Sequence, residues 1–266
     1  MLRRNLMISA GAALLLPSSA VAQPAVDLAA VRAAIARGEL PTVDQLLRGL
    51  EHNLNAETRT AKITMIVVNP RRTRTMELVS FGRGLDEAAM EFVAPAREKG
   101  TKMYRKGDEM WLYLPSVERT QKISGHMLRQ GMMGSDMSYE DMSGNTDWNE
   151  EYEGVVRGKS DVGGRPHLEV VLTAKRPDIT YQKRVTFIDE QTLVPTRQEL
   201  YAISGMLVKT WEMSDVRQID GRSYPMAMRI EDKLKNGTYT EIKTTELEFG
   251  VDLPTEVFSL RWLERG

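Results

Sequence analysis

The side chains best suited to chemistry crowd into one stretch, where Asp136, Glu140, Asp141, Asp147, Glu150 and Glu151 follow Gly134. A pair of carboxylates about 5–9 Å apart would suit glycosidic cleavage by acid and base. The alternating acidic pattern of a calcium loop is absent. A plainer reading has Asp136 or Ser138 capping a short helix, with Glu140 and Asp141 in its first turn, where the helix dipole favours negative charge. The capping reading needs no substrate and is preferred. His52, His126 and His167 fall on an expected helix, loop and strand, and none has a second ligand four residues on, so no metal is expected. His126 alone lies near the acidic stretch. No nucleophile elbow, P-loop or dinucleotide-binding pattern occurs, and Gly82-Arg83-Gly84 sits between two strands as a turn. The chain has no cysteine, which excludes disulfides and thiol nucleophiles. No catalytic residue and no cofactor is expected.

The elements around this stretch are mainly strands. Asp27 to Arg37 is alanine-rich and reads as a short helix ended by Gly38. Thr42 caps a second helix whose Val43, Leu46, Leu47, Leu50 and Leu54 form one apolar stripe. From Glu57 the chain alternates in short runs: 61–68, 73–81, 85–93, 109–114, 119–123, 152–159, 167–174, 180–188, 193–203, 207–216, 225–234 and 239–249. Turns fall at Asn69-Pro70, Gly107-Asp108, Asp220-Gly221 and Asn236-Gly237, the last being the strongest hairpin signal. Regular strands joined by tight turns predict an antiparallel meander. Within 109–114, Met110, Leu112 and Leu114 face one way and Trp111 and Tyr113 the other; within 225–234, Met226, Met228, Ile230 and Leu234 oppose Arg229, Glu231 and Lys233. A long sheet with one apolar face must be covered or must curl, and only two helices and one loop are available to cover it. Arg71, Arg72 and Arg74 read as a solvated hairpin end, with docking to a partner second.

The loop that carries the carboxylates also holds Met127, Met132, Met133, Met137 and Met142 among several glycines. Loops lie at surfaces, so apolar side chains there need a cover, and methionine suits variable apolar contacts.

The first 22 residues read as an export leader: Arg3 and Arg4, an apolar core from Leu6 to Leu16, and Ala20-Val21-Ala22 before Gln23, with cleavage after Ala22. The core is too short to span a bilayer. Arg3-Arg4 also fits twin-arginine export, without its flanking Ser and Lys. Removing the two arginines takes the formal net charge from −1 to −3, too balanced to point to nucleic acid. A periplasmic product is expected, and without a cysteine after the leader it is not lipid-anchored. No Pro/Ser-rich linker divides residues 23–266, which are read as one domain: helices within 27–55, sheet within 57–262 and a loop at 124–150.

Lys99-Gly100-Thr101, Trp111-Leu112-Tyr113-Leu114-Pro115 and Gly134-Ser135-Asp136-Met137-Ser138-Tyr139-Glu140-Asp141 resemble the signature of the LolA-like outer membrane lipoprotein-sorting proteins. The strand pattern from about 56 to 261 resembles that family too. The resemblance implies an α+β, mainly β fold: a curved antiparallel sheet forming a half-open barrel, covered by the N-terminal helix and the Met-rich loop. It implies a periplasmic carrier of lipid or lipoprotein acyl chains, with an inner-membrane exporter as partner and transient contact with membranes. Alternation and resemblance together put Met110, Leu112, Leu114, Met226, Met228 and Ile230 on the concave, chain-contacting face. They put Met132, Met133, Met137 and Tyr139 in a lid. An oily hollow that the protein's own side chains leave unfilled is the central expectation. LolA proteins use an arginine within the barrel, and no motif here matches it. Two rivals stand beside the carrier: a periplasmic sensing or interaction module that binds lipidated or misfolded proteins, and a hydrolase using the Asp136 to Glu151 carboxylates.

Overall fold

The structure is a computed structural model that describes residues 26–142 and 148–265. The leader with its cleavage site, and residues 143–147 including Asp147, lie outside the described residues. Helix α1 (Leu28–Ala36) begins where the Asp27 carboxylate accepts from the amides of Ala29 and Ala30, each at 3.0 Å. Helix α2 (Val43–Leu54) opens on a reciprocal cap: Thr42 Oγ1 accepts from the Gln45 amide at 3.2 Å, and Gln45 Oε1 accepts from the Thr42 amide at 2.9 Å. Such a cap is worth about 1 kcal/mol.

Thirteen strands follow: β1 (Thr58–Asn69), β2 (Arg72–Arg83), β3 (Glu87–Ala94), β4 (Lys102–Lys106), β5 (Glu109–Leu114), β6 (Arg119–Ile123), β7 (Tyr152–Val162), β8 (Arg165–Ala174), β9 (Lys183–Asp189), β10 (Pro195–Tyr201), β11 (Leu207–Ile219), β12 (Arg222–Asp232) and β13 (Tyr239–Phe249). Two short helices, α3 (Tyr139–Met142) and α4 (Trp148–Glu151), lie between β6 and β7, and α5 (Leu260–Leu263) ends the chain. All strands join one antiparallel sheet, in the order β6 to β1, then β13 back to β7. The first and last strands meet at its middle, where Arg59 stands opposite Phe249 and Val68 opposite Tyr239. The sheet is a curved, incomplete barrel whose free rims are β6 and β7. These rims are consecutive in the chain, so the segment between them has to pass from one rim to the other.

One face of the sheet carries both covers. Leu46, Leu47 and Leu50 of α2 pack with Leu168, Val170, Leu172 and Ile188 of β8 and β9. At the other wing, residues of the crossing segment pack on β1 to β6. Gly154 on β7 lets α2 come close: a Cβ there would lie 2.5 Å from Val43 Cγ1.

Three expectations are corrected. The last strand is 239–249 as the alternation predicts, but the range given to the sheet, to 262, is too long: the tail packs Val257, Phe258, Trp262 and Leu263 on the outer face against Ala89, Tyr104 and Tyr113. The cause is the outward aromatic surface of β4 and β5, large enough that leaving it in water is costly. So β5 has packed side chains on both faces. Leu234 lies beyond the end of β12 and is exposed. Two-residue turns join β1 to β2, β4 to β5, β7 to β8 and, at Asp220-Gly221 with φ of 49° and 76°, β11 to β12, whereas Asn236-Gly237 belongs to a longer connection.

Candidate functional site

The segment joining β6 to β7 is a lid built on tight backbone pairing. Met132 N–H donates to Met137 O at 2.8 Å, Tyr139 N–H to Gln130 O at 3.1 Å, and Gly131 bridges to Ser138. The reversal between them needs left-handed backbone at Met133 and Gly134, with φ of 50° and 71°. Gly131 cannot be replaced without movement, because a Cβ there would meet Ser135 O at 2.2 Å. Helix α3 starts with Ser138 as cap: its Oγ accepts from Asp141 N at 3.2 Å, while Asp141 Oδ2 accepts from Ser138 N at 2.8 Å. The capping reading of the acidic stretch is what the structure shows, with Ser138 as the cap.

The lid's apolar side is turned onto the sheet. Met132, 1 % exposed, and Tyr139 are packed with Met110, Leu112 and Ile123 of β5 and β6, and with Met65, Met76, Leu78, Phe92 and Met103. Leu114, Met127, Leu128, Met133 and Met142 join this cluster partly buried. The expected lid and concave-face residues of this wing are therefore brought together: Met110, Leu112 and Leu114 with Met132, Met133 and Tyr139. Met137 is different, giving its carbonyl to Met132 and Ser135. On β12, Met226 and Ile230 are buried and Met228 half-buried. Register sets Met213, Met228, Ile242, Met65 and Met76 opposite one another across five neighbouring strands, and opposed residues share a face.

Directly beneath the lid its own methionines pack on the wall, and the expected hollow is reduced to a groove of about 330 Å3 at the lid's edge, lined by Val67, Gly131, Asp136, Lys235 and Thr238. Bare inner-face surface costs about 25 cal/mol per Å2. A flexible methionine can fill an irregular gap with little strain. An open groove of about 710 Å3 lies elsewhere, lined by Met213, Met228 and Ile242 together with the charged Arg197, Glu212 and Arg229. No described residue of α2 or the lid lines it.

Polar clamps hold the lid from beyond its own sequence. Asp136, 3 % exposed, accepts from Thr238 Oγ1 at 2.8 Å and Thr240 Oγ1 at 3.2 Å, with Lys235 Nζ at 3.5 Å. Asp141 accepts from the Tyr181 hydroxyl at 2.7 Å and is paired with Lys209 of β11. Burial and then the Asp141 charge push the Tyr181 phenol far up, so it stays a donor. Glu140 accepts from Thr180 Oγ1 at 2.8 Å. Arg184 lies about 5 Å from the rings of Trp148, Tyr152 and Tyr181, and fixes the lid's far end.

Arg74 corrects the expectation of a solvated hairpin end. Its guanidinium donates to Met133 O at 2.5 Å and pairs with Glu98 at 3.8 Å. It stands opposite Val67, whose side chain is in the cluster under the lid, so Arg74 occupies the inner face. The sequence offered no signal for this, or for Lys209, Tyr181, Thr238 and Arg184, because their partners are far along the chain. His52 is exposed on α2 as expected. His167 is buried, with its ring nitrogens 2.7 Å from Arg165 O and from Thr196 Oγ1. His126 falls in a short 3-10 turn at the start of the lid.

A single antiparallel meander, open between its rims and crossed by a lid from rim to rim, is a LolA-like fold. Residues 84–265 match a protein family described as "Uncharacterized protein", and the chain belongs to that family. Among solved structures it is similar to a DUF1329 family protein from Desulfovibrio piger, at 25 % identity and a TM-score of 0.77, covering 82 % of this chain and 96 % of that one. It is similar in fold to an outer membrane lipoprotein-sorting protein domain from Vibrio parahaemolyticus, at 24 % identity and a TM-score of 0.73, covering 84 % of this chain and 100 % of that one. A LolA superfamily protein from Nitrosomonas europaea shares the fold at 19 % identity and a TM-score of 0.70, covering 84 % and 99 %. No curated protein matches the chain.

Proposed function

We propose that this protein is a periplasmic carrier that holds acyl chains of a lipid or lipoprotein on the inner face of its sheet and transfers them between membranes or to and from an exporter. The observation that carries this reading is the methionine-faced lid, seated on an apolar wall and held at its rim by charges and hydrogen bonds. Such a lid is a removable plug: its apolar side chains stand where hydrocarbon would lie, and its polar clamps can be undone without dismantling the sheet. An acyl chain gains about 0.8 kcal/mol per buried methylene, so a long chain can outweigh the contacts that the lid gives up. Met110, Leu112, Leu114, Met226, Met228 and Ile230 are assigned to the chain-contacting wall, and Met132, Met133 and Tyr139 to the plug. Met137 serves the plug through its backbone. The Asp136 and Asp141 carboxylates act as anchors. The fold similarity to a lipoprotein-sorting domain supports the same reading.

The test is native mass spectrometry of protein purified from cells with their membranes. Reproducible acyl-lipid adducts are expected, and Asp136→Asn is expected to change their occupancy by loosening the lid. Protein free of adducts in both forms would sink the carrier reading. It would favour a second one, which the filled space beneath the lid supports: a module whose lid binds a protein partner.

A further inference from the structure

In an antiparallel meander the connections alternate between the two ends of the sheet. Those after β1, β3, β5, β8, β10 and β12 lie at one end, and those after β2, β4, β7, β9 and β11 at the other. The connections at the two ends differ in charge. The first set carries seven lysines and arginines against three acidic residues; the second carries four acidic residues and no lysine or arginine. The lid brings Asp136, Glu140, Asp141 and Glu151 against two connections of the first set, at Thr238, Thr180, Tyr181 and Lys175, so the cationic surplus there is local and sits at exposed tips such as Arg71, Lys233 and Lys235.

The basic end also carries exposed apolar tips. Ile203 and Met206 crown the β10–β11 connection at 77 % and 51 % exposure, and Leu234 crowns the β12–β13 connection at 62 %. The two tips rise from adjoining strands, since Lys233 N–H donates to Val208 O at 2.9 Å. Lys233 and Lys235 flank Leu234 directly. The β1–β2 turn joins the same rim: a Cβ on Gly237 would lie 3.3 Å from Pro70, which brings Arg71 alongside. Large apolar side chains at hairpin tips gain nothing from water, and a ring of cations around them fits one kind of surface.

We propose that this end docks on an anionic phospholipid bilayer, with Ile203, Met206 and Leu234 entering the headgroup boundary and Arg71, Lys233 and Lys235 facing the phosphates. The acidic end is then held away from the membrane. The proposal deepens the carrier reading and rests on it for its purpose, since it places the membrane beside the lid's anchor. Lys235 pairs with both Asp232 and Asp136. Phosphates that draw on Lys235 compete with Asp136, the anchor carboxylate, just where cargo would enter or leave.

The experiment is flotation of the purified protein with vesicles of phosphatidylcholine alone or mixed with phosphatidylglycerol. The protein is expected to float with the mixed vesicles only, and high salt is expected to release it. Ile203→Asp with Leu234→Asp should bring flotation down to the phosphatidylcholine level. Arg71→Gln and Lys233→Gln should each weaken partitioning roughly fivefold. Asp86→Ala and Asp108→Ala, at the opposite end, should change nothing. All six substitutions alter connections, so circular dichroism should show the sheet intact. Failure of the wild type to float with the mixed vesicles overturns the proposal, as does flotation unchanged in the tip variants. Capture of an acidic protein at the tips without vesicle binding overturns it too. Lipid adducts in the same preparations keep the two readings apart: adducts without flotation leave the carrier and remove the docking surface, and flotation without adducts does the reverse.

Discussion

Lys209 on β11 closes an ion pair with Asp141 on the lid, 68 positions earlier in the chain, and the carboxylate side chain is only 1 % exposed. Tyr181 and the Ser138 amide complete the shell around that carboxylate. This pair ties the middle of the crossing segment to the far half of the sheet. Breaking one member leaves the other charge buried. Lys209→Met or Asp141→Leu alone is expected to lower stability by about 3–5 kcal/mol, and the double substitution by much less, because two matched apolar groups replace two charges. Urea denaturation of the four proteins in a double-mutant cycle measures the difference.

Met132 and Met137 are five residues apart in the lid but serve it differently. Met132→Ala should cost about 2–4 kcal/mol, because its side chain is fully packed on the inner face. Met137→Ala should cost under about 1 kcal/mol, since what it supplies is a carbonyl. Equal losses in a thermal melt would show that the lid is not seated as described.

Two glycines are expected to be intolerant for different reasons. Gly131→Ala forces a Cβ against the Ser135 carbonyl, a backbone atom that can yield only by rebuilding the lid turn. Faster amide exchange across 131–139, with the sheet protected as before, is the expected result. Gly154→Ala meets the side chains of Val43 and Leu172. Those can shift, so a cost of about 1–3 kcal/mol is expected, read from chemical denaturation.

His52 gives the pH dependence a defined sign. Partial loss of water around this largely exposed ring, and then the nearby charges of Arg222 and Arg32, hold its folded-state pKa below the ordinary imidazole value. The unfolded chain therefore binds the proton more readily, and stability falls as pH drops through the unfolded value near 6.5 toward the lower folded one. His52→Gln should flatten the slope of unfolding midpoint against pH between about 5 and 7. An unchanged slope would assign it to other groups.

Removing the C-terminal cover should expose the outer face of β4 and β5. Trp262→Ala is expected to cost about 3–5 kcal/mol, through lost packing on Tyr104 and Tyr113 and lost contact with Lys102. Increased binding of an apolar dye, with the lid variants as reference, distinguishes this face from the inner one.

The sequence by itself determined the local parts. The leucine stripe of α2 follows from a period of 3.6, and Thr42 marks its start as a cap; that Gln45 completes the cap is seen in the structure. The faces of β5 follow from a period of two, which separates Met110 and Leu112 from Trp111 and Tyr113. The Gly134 to Asp141 run, read as a capped helix in a lid, was legible because its cap is three residues from its partner. Only the tertiary structure decided what lies across from each face. The pairing of β1 with β13, the seating of Trp262 on the outer wall, and the reach of Arg74, Thr238 and Lys209 to the lid all join residues far apart in the chain. Periodicity shows that a side chain is apolar or charged and which way it points; it carries no term for a partner brought near by the curl of a thirteen-stranded sheet. For the same reason the chain could announce an oily wall but not what fills the space before it, which in the folded protein is its own methionines.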